Sequence, residues 1–371
     1  MPFKRYNIKY YNFILIFLVV ALMILGVYVI DSVNDEFTTK QAVGVAISIV
    51  IMIVLSFVDY HLISRLYIAL YIASAVLLVL VLVAGSTVNN ATRWFTIAGI
   101  TFQPSEITKP IMIVFFSTYL SKLMDKEKVN TFGGIIGFVM FWAVPIFLIY
   151  QEPDLSTLIC LTMVLLTLFF LSGLSYKIIA VALLILIPIF SVFIWYIQKP
   201  DQKLLYDHQV KRIMSFIYPS EYEDETMQQE NSVMAIGSGQ LMGKGLRRDK
   251  EGSNTSDTNL ISEQQTDFIF SAVGESFGFF GSTIIIGIIL LIVLQCIRVG
   301  RHARDDVGML ISLGVAALIG YQSFINIGVA TRLLPNTGIP LPFISYGLTS
   351  LMSTAIGIGI VLNISLQKRK Y

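Results

Sequence analysis

The chain has 371 residues, 55% hydrophobic and 13% charged, with a formal net charge of +2 and a mean hydropathy of +0.75. One soluble core of this length could not hide so much apolar surface, and windows of about 20 apolar residues, the length that crosses a bilayer core, recur along it. A soluble globular domain is excluded and no nucleic-acid partner is expected; the chain reads as an all-α polytopic membrane protein.

Phe13–Ile30 is the first window, preceded by Lys4, Arg5 and Lys9. No small-x-small cleavage site follows it, so it reads as a retained helix rather than a signal peptide. Further segments are predicted at 42–58, 66–84, 106–121, 132–150, 155–172, 178–197, 268–297, 308–330 and 343–364, ten in all. The fourth is the least regular, with Lys109 and Pro110 in its first turns. The eighth is overlong and interrupted by "VGESFGFFG", which predicts a kink or a re-entrant start covered by protein or water.

Ten spans put both termini on one side. That side collects Lys4, Arg5, Lys9, Arg65, Lys122, Lys126, Lys128, Lys177, Arg298, Arg301, Arg304, Lys368, Arg369 and Lys370, against Lys40, Arg93, Lys109 and Arg332 opposite. The positive-inside rule then places both termini in the cytoplasm. The long loop 198–266, between the seventh and eighth helices, is extracytoplasmic, and residues 1–371 form one membrane domain.

The loop has an apolar-flecked first half, "DHQVKRIMSFIYP", and a polar stretch, "RRDKEGSNTSDTN", with too few apolar residues to pack. Between them "GSGQLMGKG" (237–245) fails the phosphate-loop pattern, since Lys244 is followed by Gly245; it reads as a flexible turn region with backbone amides to offer. Cys160 and Cys296 lie in apolar segments, so the loop has no disulfide framework. His61, His208 and His302 are dispersed and suggest no metal cluster.

Ionisable residues at membrane depth are expensive and point to function. Here they gather on the outer face: Arg93 beside Trp94, Glu106 and Lys109 opening segment four, Asp154 opening segment six, Asp267 and Glu275 opening segment eight, and Arg332 closing segment nine. Each also has a structural reading. Asp154 and Asp267 fit helix N-caps, Glu106 suits the positive end of a helix dipole, and Trp94 fits an interfacial anchor. Lys109 opposes the dipole and needs a partner, which Glu106 at i−3 supplies. That pair is either a buried bridge between helices or the rim of an anion site.

The motifs in order are "RWF…QPSEITKP" (93–110), "QEPDLST" (151–157), "RIMSFIYP" (212–219), "AIGSGQLMGKGL" (235–246), "EQQTDFIFSAVGESFG" (263–278) and "NTGIPLPFISYGLTS" (336–350). Together they resemble the SEDS family (shape, elongation, division and sporulation), which includes RodA and FtsW, over essentially the whole chain. The resemblance implies a peptidoglycan glycosyltransferase that polymerises lipid II at the outer face of the bacterial cytoplasmic membrane. It matches the family's catalytic aspartate to Asp267 and outer-cavity positions to Trp94, Glu106, Lys109, Asp154 and Arg212. It also implies a class B penicillin-binding protein as transpeptidase partner, other elongation or division membrane proteins, and a divalent cation, magnesium or manganese, with no clear ligand set. No organic cofactor is expected.

The residues fit that chemistry. A sugar hydroxyl attacking an anomeric carbon and expelling lipid diphosphate needs one general base and positive charge at the leaving group. Asp267 is assigned as the base, and Lys109 and Arg212 as phosphate contacts, with Arg93 nearby. Glu106 is assigned to hold Lys109, and Asp154 a mainly structural role. Two departures, Leu348 in "SYGLTS" and Ser156 in "QEPDLST", replace glycines common in relatives, and residues 247–262 are more hydrophilic than usual. "QQTDFIF" leans towards the elongation type. A lipid II flippase should show polar access from both faces and internal repeats, and neither is seen; a non-catalytic scaffold leaves Asp267 and Lys109 unexplained.

Overall fold

The computed structural model describes residues 8–88, 91–97, 100–199, 202, 204–246, 261 and 263–367. The predicted spans form helices α1 (Phe13–Val33), α2 (Thr38–Ser56), α4 (Tyr67–Ala84), α5 (Pro104–Asp125), α6 (Phe132–Gln151), α7 (Leu155–Leu171), α8 (Tyr176–Ile197), α11 (Ile269–Arg301), α12 (Asp306–Ala330) and α13 (Leu348–Leu366), with a short α3 (Tyr60–Arg65) before α4. Eight are long and apolar enough to cross a membrane; α5, with its charged first turns, and α7, at 17 residues, are the two that are not. The polar stretch 247–260 lies outside the described residues.

Polar side chains start these helices where apolar runs begin. Asn12, Thr131, Asp154 and Asp305 each accept a first-turn N–H, satisfying a donor the helix cannot. Helices α5, α12 and α13 are the most enclosed and form the centre, with α1, α2, α4, α6, α7 and α11 around them. Helix α8 stands apart, with none of its apolar stretch buried. Its end joins α9 (Asp207–Ile217) in a small second core of Ile197, Leu205 and Met214.

The loop regions hold more structure than the sequence reading expected. Between α4 and α5 runs a three-stranded antiparallel sheet, β1 (Ser86–Val88), β2 (Ala91–Ile97) and β3 (Ile100–Phe102), in that spatial order. The β-branched and aromatic run "TRWFTI" suits a pleated surface. The long loop contains α9 and α10 (Glu223–Ser238).

The glycine-rich stretch after α10 is a correction to the flexible-turn reading. Helix α11 is broken at Gly278 (φ 65°, ψ −163°), a backbone conformation essentially confined to glycine. The break frees backbone groups that residues 240–245 satisfy. Lys244 and Gly245 N–H donate to the carbonyls of Glu275 and Ser276, and Phe279 and Phe280 N–H donate to those of Gln240 and Leu241. A β-carbon on Gly278 would collide with the Gly243 nitrogen, and one on Gly243 with the Ser276 carbonyl, so both positions need glycine. The kink expected in segment eight is therefore covered by protein, as irregular backbone at membrane depth must be.

At the other end of the bundle His61 is clamped by two carboxylates. Its Nδ1 lies 2.8 Å from Asp59 Oδ1 and its Nε2 2.8 Å from Asp305 Oδ2. Tyr60 O–H donates to Asp305 Oδ1 at 2.9 Å and Gln367 Nε2 to Asp59 Oδ1 at 3.0 Å, so α3, α12 and the end of α13 are tied together. The hydrogen bond to Asp305, opposed by burial and reinforced by Asp59, raises the His61 pKa above its ordinary 6.5. Burial pushes Asp305 and Asp59 up, but their hydrogen bonds outweigh it and both fall below the ordinary 3.8. A raised histidine stabilises the fold fully below pH 6.5 and loses that contribution as pH rises through its folded value; the depressed carboxylates contribute above 3.8 and lose it in acid. His61→Ala should lower the melting temperature of the detergent-solubilised protein by several degrees near pH 6, and the gap from wild type should narrow at alkaline pH. A gap that widens with pH would sink this account of the clamp.

Candidate active site

The start of α11 and the loop before α13 converge on one carboxylate. Residues 263–268 form a turn in which Thr266 and Asp267 N–H donate to the Glu263 carbonyl at 3.1 and 3.2 Å. The helix proper begins at Ile269 with Phe268 in the cap position, and no side chain caps it. The N-cap reading of Asp267 fails for this reason: among the described residues its carboxylate accepts no helix N–H.

The carboxylate faces the loop "NTGIPLPF". A β-carbon on Gly338 (φ 78°) would stand 3.1 Å from Asp267 Oδ2 and 3.4 Å from Arg212 Nη1. One α-carbon is thus flanked by an acid and a guanidinium, and its positive φ and the crowding carboxylate both favour glycine there. Arg212 reaches it from α9 and donates to the Thr337 carbonyl at 3.4 Å. Burial raises the Asp267 pKa to about 6, with Arg212 and Arg93 pulling it down and Glu263 and Asp154 pushing it up. Burial likewise lowers Arg212, and the Asp267 charge opposes that shift.

The turn between α6 and α7 forms the neighbouring wall. Asp154 caps α7 through the Thr157 N–H at 3.1 Å, and its other oxygen accepts from Gln103 Nε2 at 2.9 Å and Ser105 Oγ at 3.4 Å. These donors make it a cap and a tie between α7 and the start of α5. Arg93, on β2, donates Nε to the Glu152 carbonyl at 2.8 Å and Nη2 to that of Pro153. Gln209 of α9 donates to the Pro153 carbonyl at 3.1 Å, and Ser156 Oγ to the Thr337 carbonyl. Arg93 therefore holds the turn through its backbone. Trp94 is half-buried beside it in β2.

Glu106 and Lys109 form a separate, deeper pair. Lys109 Nζ donates to Glu106 Oε1 at 2.6 Å, and the two side chains are 2% and 5% exposed. Ser353 of α13 donates to the Glu106 carbonyl at 2.7 Å. The pair is buried but lies within α5 alone, so it is not the bridge between helices that one reading expected. Glu106 does hold Lys109, but the cation that faces Asp267 is Arg212.

Three residues of this region escaped the sequence reading. Glu152 is fully enclosed with neither carboxyl oxygen hydrogen-bonded. Burial, with the Asp154 charge behind it and the Arg93 charge opposing, raises its pKa to about 9, which favours the protonated form at pH 7. It lies within "QEPDLST", but so does Asp154, and only packing tells them apart. Gly338 sits in a motif rich in turn formers, which hides its special role. Asn326 lies in the middle of α12, where a lone amide gives no signal.

The chain matches the family model described as cell cycle protein, which covers FtsW, RodA and SpoVE, over residues 6–370. It is 30% identical over 373 residues to a probable peptidoglycan glycosyltransferase FtsW of Geobacter sulfurreducens, covering 97% of this chain and 96% of that protein. It is also 30% identical over 380 residues to the protein of the same name from Buchnera aphidicola, covering 98% and 96%. Its fold resembles a chain of a peptidoglycan synthase complex described as coordinating polymerization and crosslinking, with TM-score 0.79, 24% identity and coverage of 96% and 97%. It also resembles the rod shape determining protein RodA of Thermus thermophilus, with TM-score 0.69, 24% identity and coverage of 99% and 98%. With a family match that leaves out only the first five residues and the last, this membrane protein belongs to the FtsW/RodA/SpoVE family.

Proposed function

We propose that the chain polymerises lipid II into β-1,4 glycan strands, with Asp267 as general base. It is an enzyme of the glycosyltransferase class. The acceptor sugar hydroxyl attacks the anomeric carbon of the donor as the carbon–oxygen bond to the diphosphate breaks. The hydroxyl proton passes to the Asp267 carboxylate and then to water, and undecaprenyl diphosphate leaves with the bonding electrons. One base suffices, because diphosphate leaves without a proton from an acid. The observation that carries this reading is the Asp267 carboxylate with the Arg212 guanidinium beside it, both set against Gly338. Arg212 contacts phosphate from there; Lys109, enclosed with Glu106, supports the wall.

The ten-span topology, with both termini cytoplasmic and the site on the outer face of the bacterial plasma membrane, belongs to this proposal. So does a class B penicillin-binding protein as the crosslinking partner. Elongation remains the preferred role on the "QQTDFIF" sequence, while the full-length relatives named above carry the FtsW name. A divalent cation, magnesium or manganese, fits the charge of the diphosphate. Among the described residues no group of three His, Cys, Asp or Glu is placed to hold one, so it is assigned to the substrate and no step is routed through it.

The test is polymerisation of purified lipid II by the chain with its class B partner. Glycan chains from wild type support the reading. Lipid II translocation across vesicles without polymer favours the flippase, and partner binding with neither activity favours the scaffold.

A further inference from the structure

The candidate site is assembled from two stretches about 70 residues apart in sequence, the turn 263–268 and the loop 336–346. Asn326 of α12 lies where they meet and is fully buried. Its Nδ2 donates to the Asp267 carbonyl at 2.8 Å and to the Ile339 carbonyl at 2.8 Å. Both partners are acceptors, so only the NH2 side of the amide can face them and the orientation is fixed by chemistry. One side chain thus pins the main chain of the acid and the residue after Gly338. A second clasp closes the far end of the loop. Ser345 Oγ donates to the Thr266 carbonyl at 2.6 Å and accepts from Leu341 N–H at 2.7 Å, and Tyr346 N–H donates to the Gln265 carbonyl at 2.8 Å.

We propose that Asn326 is the positioning residue for Asp267, setting the spacing between its carboxylate, Gly338 and Arg212. This rests on the reading of Asp267 as the base. Asn326 touches no reacting atom in that scheme, so it acts through the backbone of the residue that does. Its platform is a 25-residue helix packed at the centre of the bundle, the kind of rigid support a site needs to hold a reactive group to a fraction of an ångström. Misplacing a catalytic group by about 1 Å costs on the order of 100-fold in rate.

The experiment uses the full chain in complex with its partner, comparing wild type, Asn326→Ala and Asn326→Ser, which keeps a single donor. Hydrogen exchange and steady-state polymerisation of lipid II are measured on the same samples. Faster exchange confined to segments 263–268 and 336–346, with residues 59–65 unchanged, is expected in the alanine variant and to a smaller degree in the serine variant. The turnover number should fall about 100-fold in Asn326→Ala with KM within a few-fold of wild type. Exchange unchanged in both segments overturns the proposal. So does faster exchange throughout the chain, which would make Asn326 a general packing residue, or a variant with loosened segments and full turnover. If wild type does not polymerise lipid II, the base assignment falls, whereas the exchange arm still decides whether Asn326 holds the two segments together.

Discussion

Asp267→Asn is expected to abolish glycan polymerisation while the chain still folds and binds its partner. Removing a positioned general base costs on the order of 10²- to 10⁴-fold, and the amide of asparagine cannot take the proton from the acceptor hydroxyl. The wild-type pH profile carries the same information. Burial raises the Asp267 pKa to about 6, and the carboxylate is the active form, so the rate should climb with pH through about 6 and level off above it. Stability should move the other way. An acid whose folded pKa lies above its unfolded one makes ionisation unfavourable in the fold, so that cost is present above about pH 6 and absent below 3.8. At pH 7 the asparagine variant should therefore melt higher than wild type, as expected for a group held in an unfavourable state for its chemistry. An inactive variant that also melts lower would point to a structural role, and an active one would remove Asp267 from the mechanism.

Lys109→Met should be the most damaging single change to stability. It leaves the Glu106 carboxylate enclosed, with Oε2 already lacking a partner among the described residues and the cation bridged to Oε1 gone. Breaking a buried pair from one side typically costs about 3–5 kcal/mol, whereas replacing both members with well-packed neutral groups is often close to neutral. Lys109→Met combined with Glu106→Gln should therefore recover most of the lost melting temperature. Polymerisation by the folded double variant separates the two roles the pair has been given. Near-normal activity makes it a structural ion pair buried within α5. A folded but inactive double variant would return Lys109 to the substrate and overturn its assignment to the wall.

The positions of the membrane helices were legible in the sequence because apolar runs of bilayer length are a local property. Each predicted segment lies within a few residues of a helix, and the glycines around Gly278 announced the break in α11. The pairing of Glu106 with Lys109 was also local, since a separation of three residues places both on one helix face. The sequence reading missed what depends on partners distant along the chain. The stretch 237–245 looked loose because its glycines are compatible with disorder, and it is ordered because the break in α11 takes up its backbone hydrogen bonds. The two hydrogen bonds from Arg93 to backbone carbonyls 59 and 60 residues away are likewise invisible in residue order.

Hydropathy, spacing and motif were enough for the class of protein, the approximate span boundaries and the candidacy of Asp267. Only packing shows that Asp267 does not cap its helix, that Arg212 rather than Lys109 stands opposite it, and that Glu152 is enclosed without a hydrogen-bond partner among the described residues. It also shows that Asn326 joins the turn to the loop. The physical reason is common to these four. Each depends on which group remains desolvated or unpaired once helices far apart in the chain have packed, and charge, burial and hydrogen bonding across such contacts have no signature in residue order.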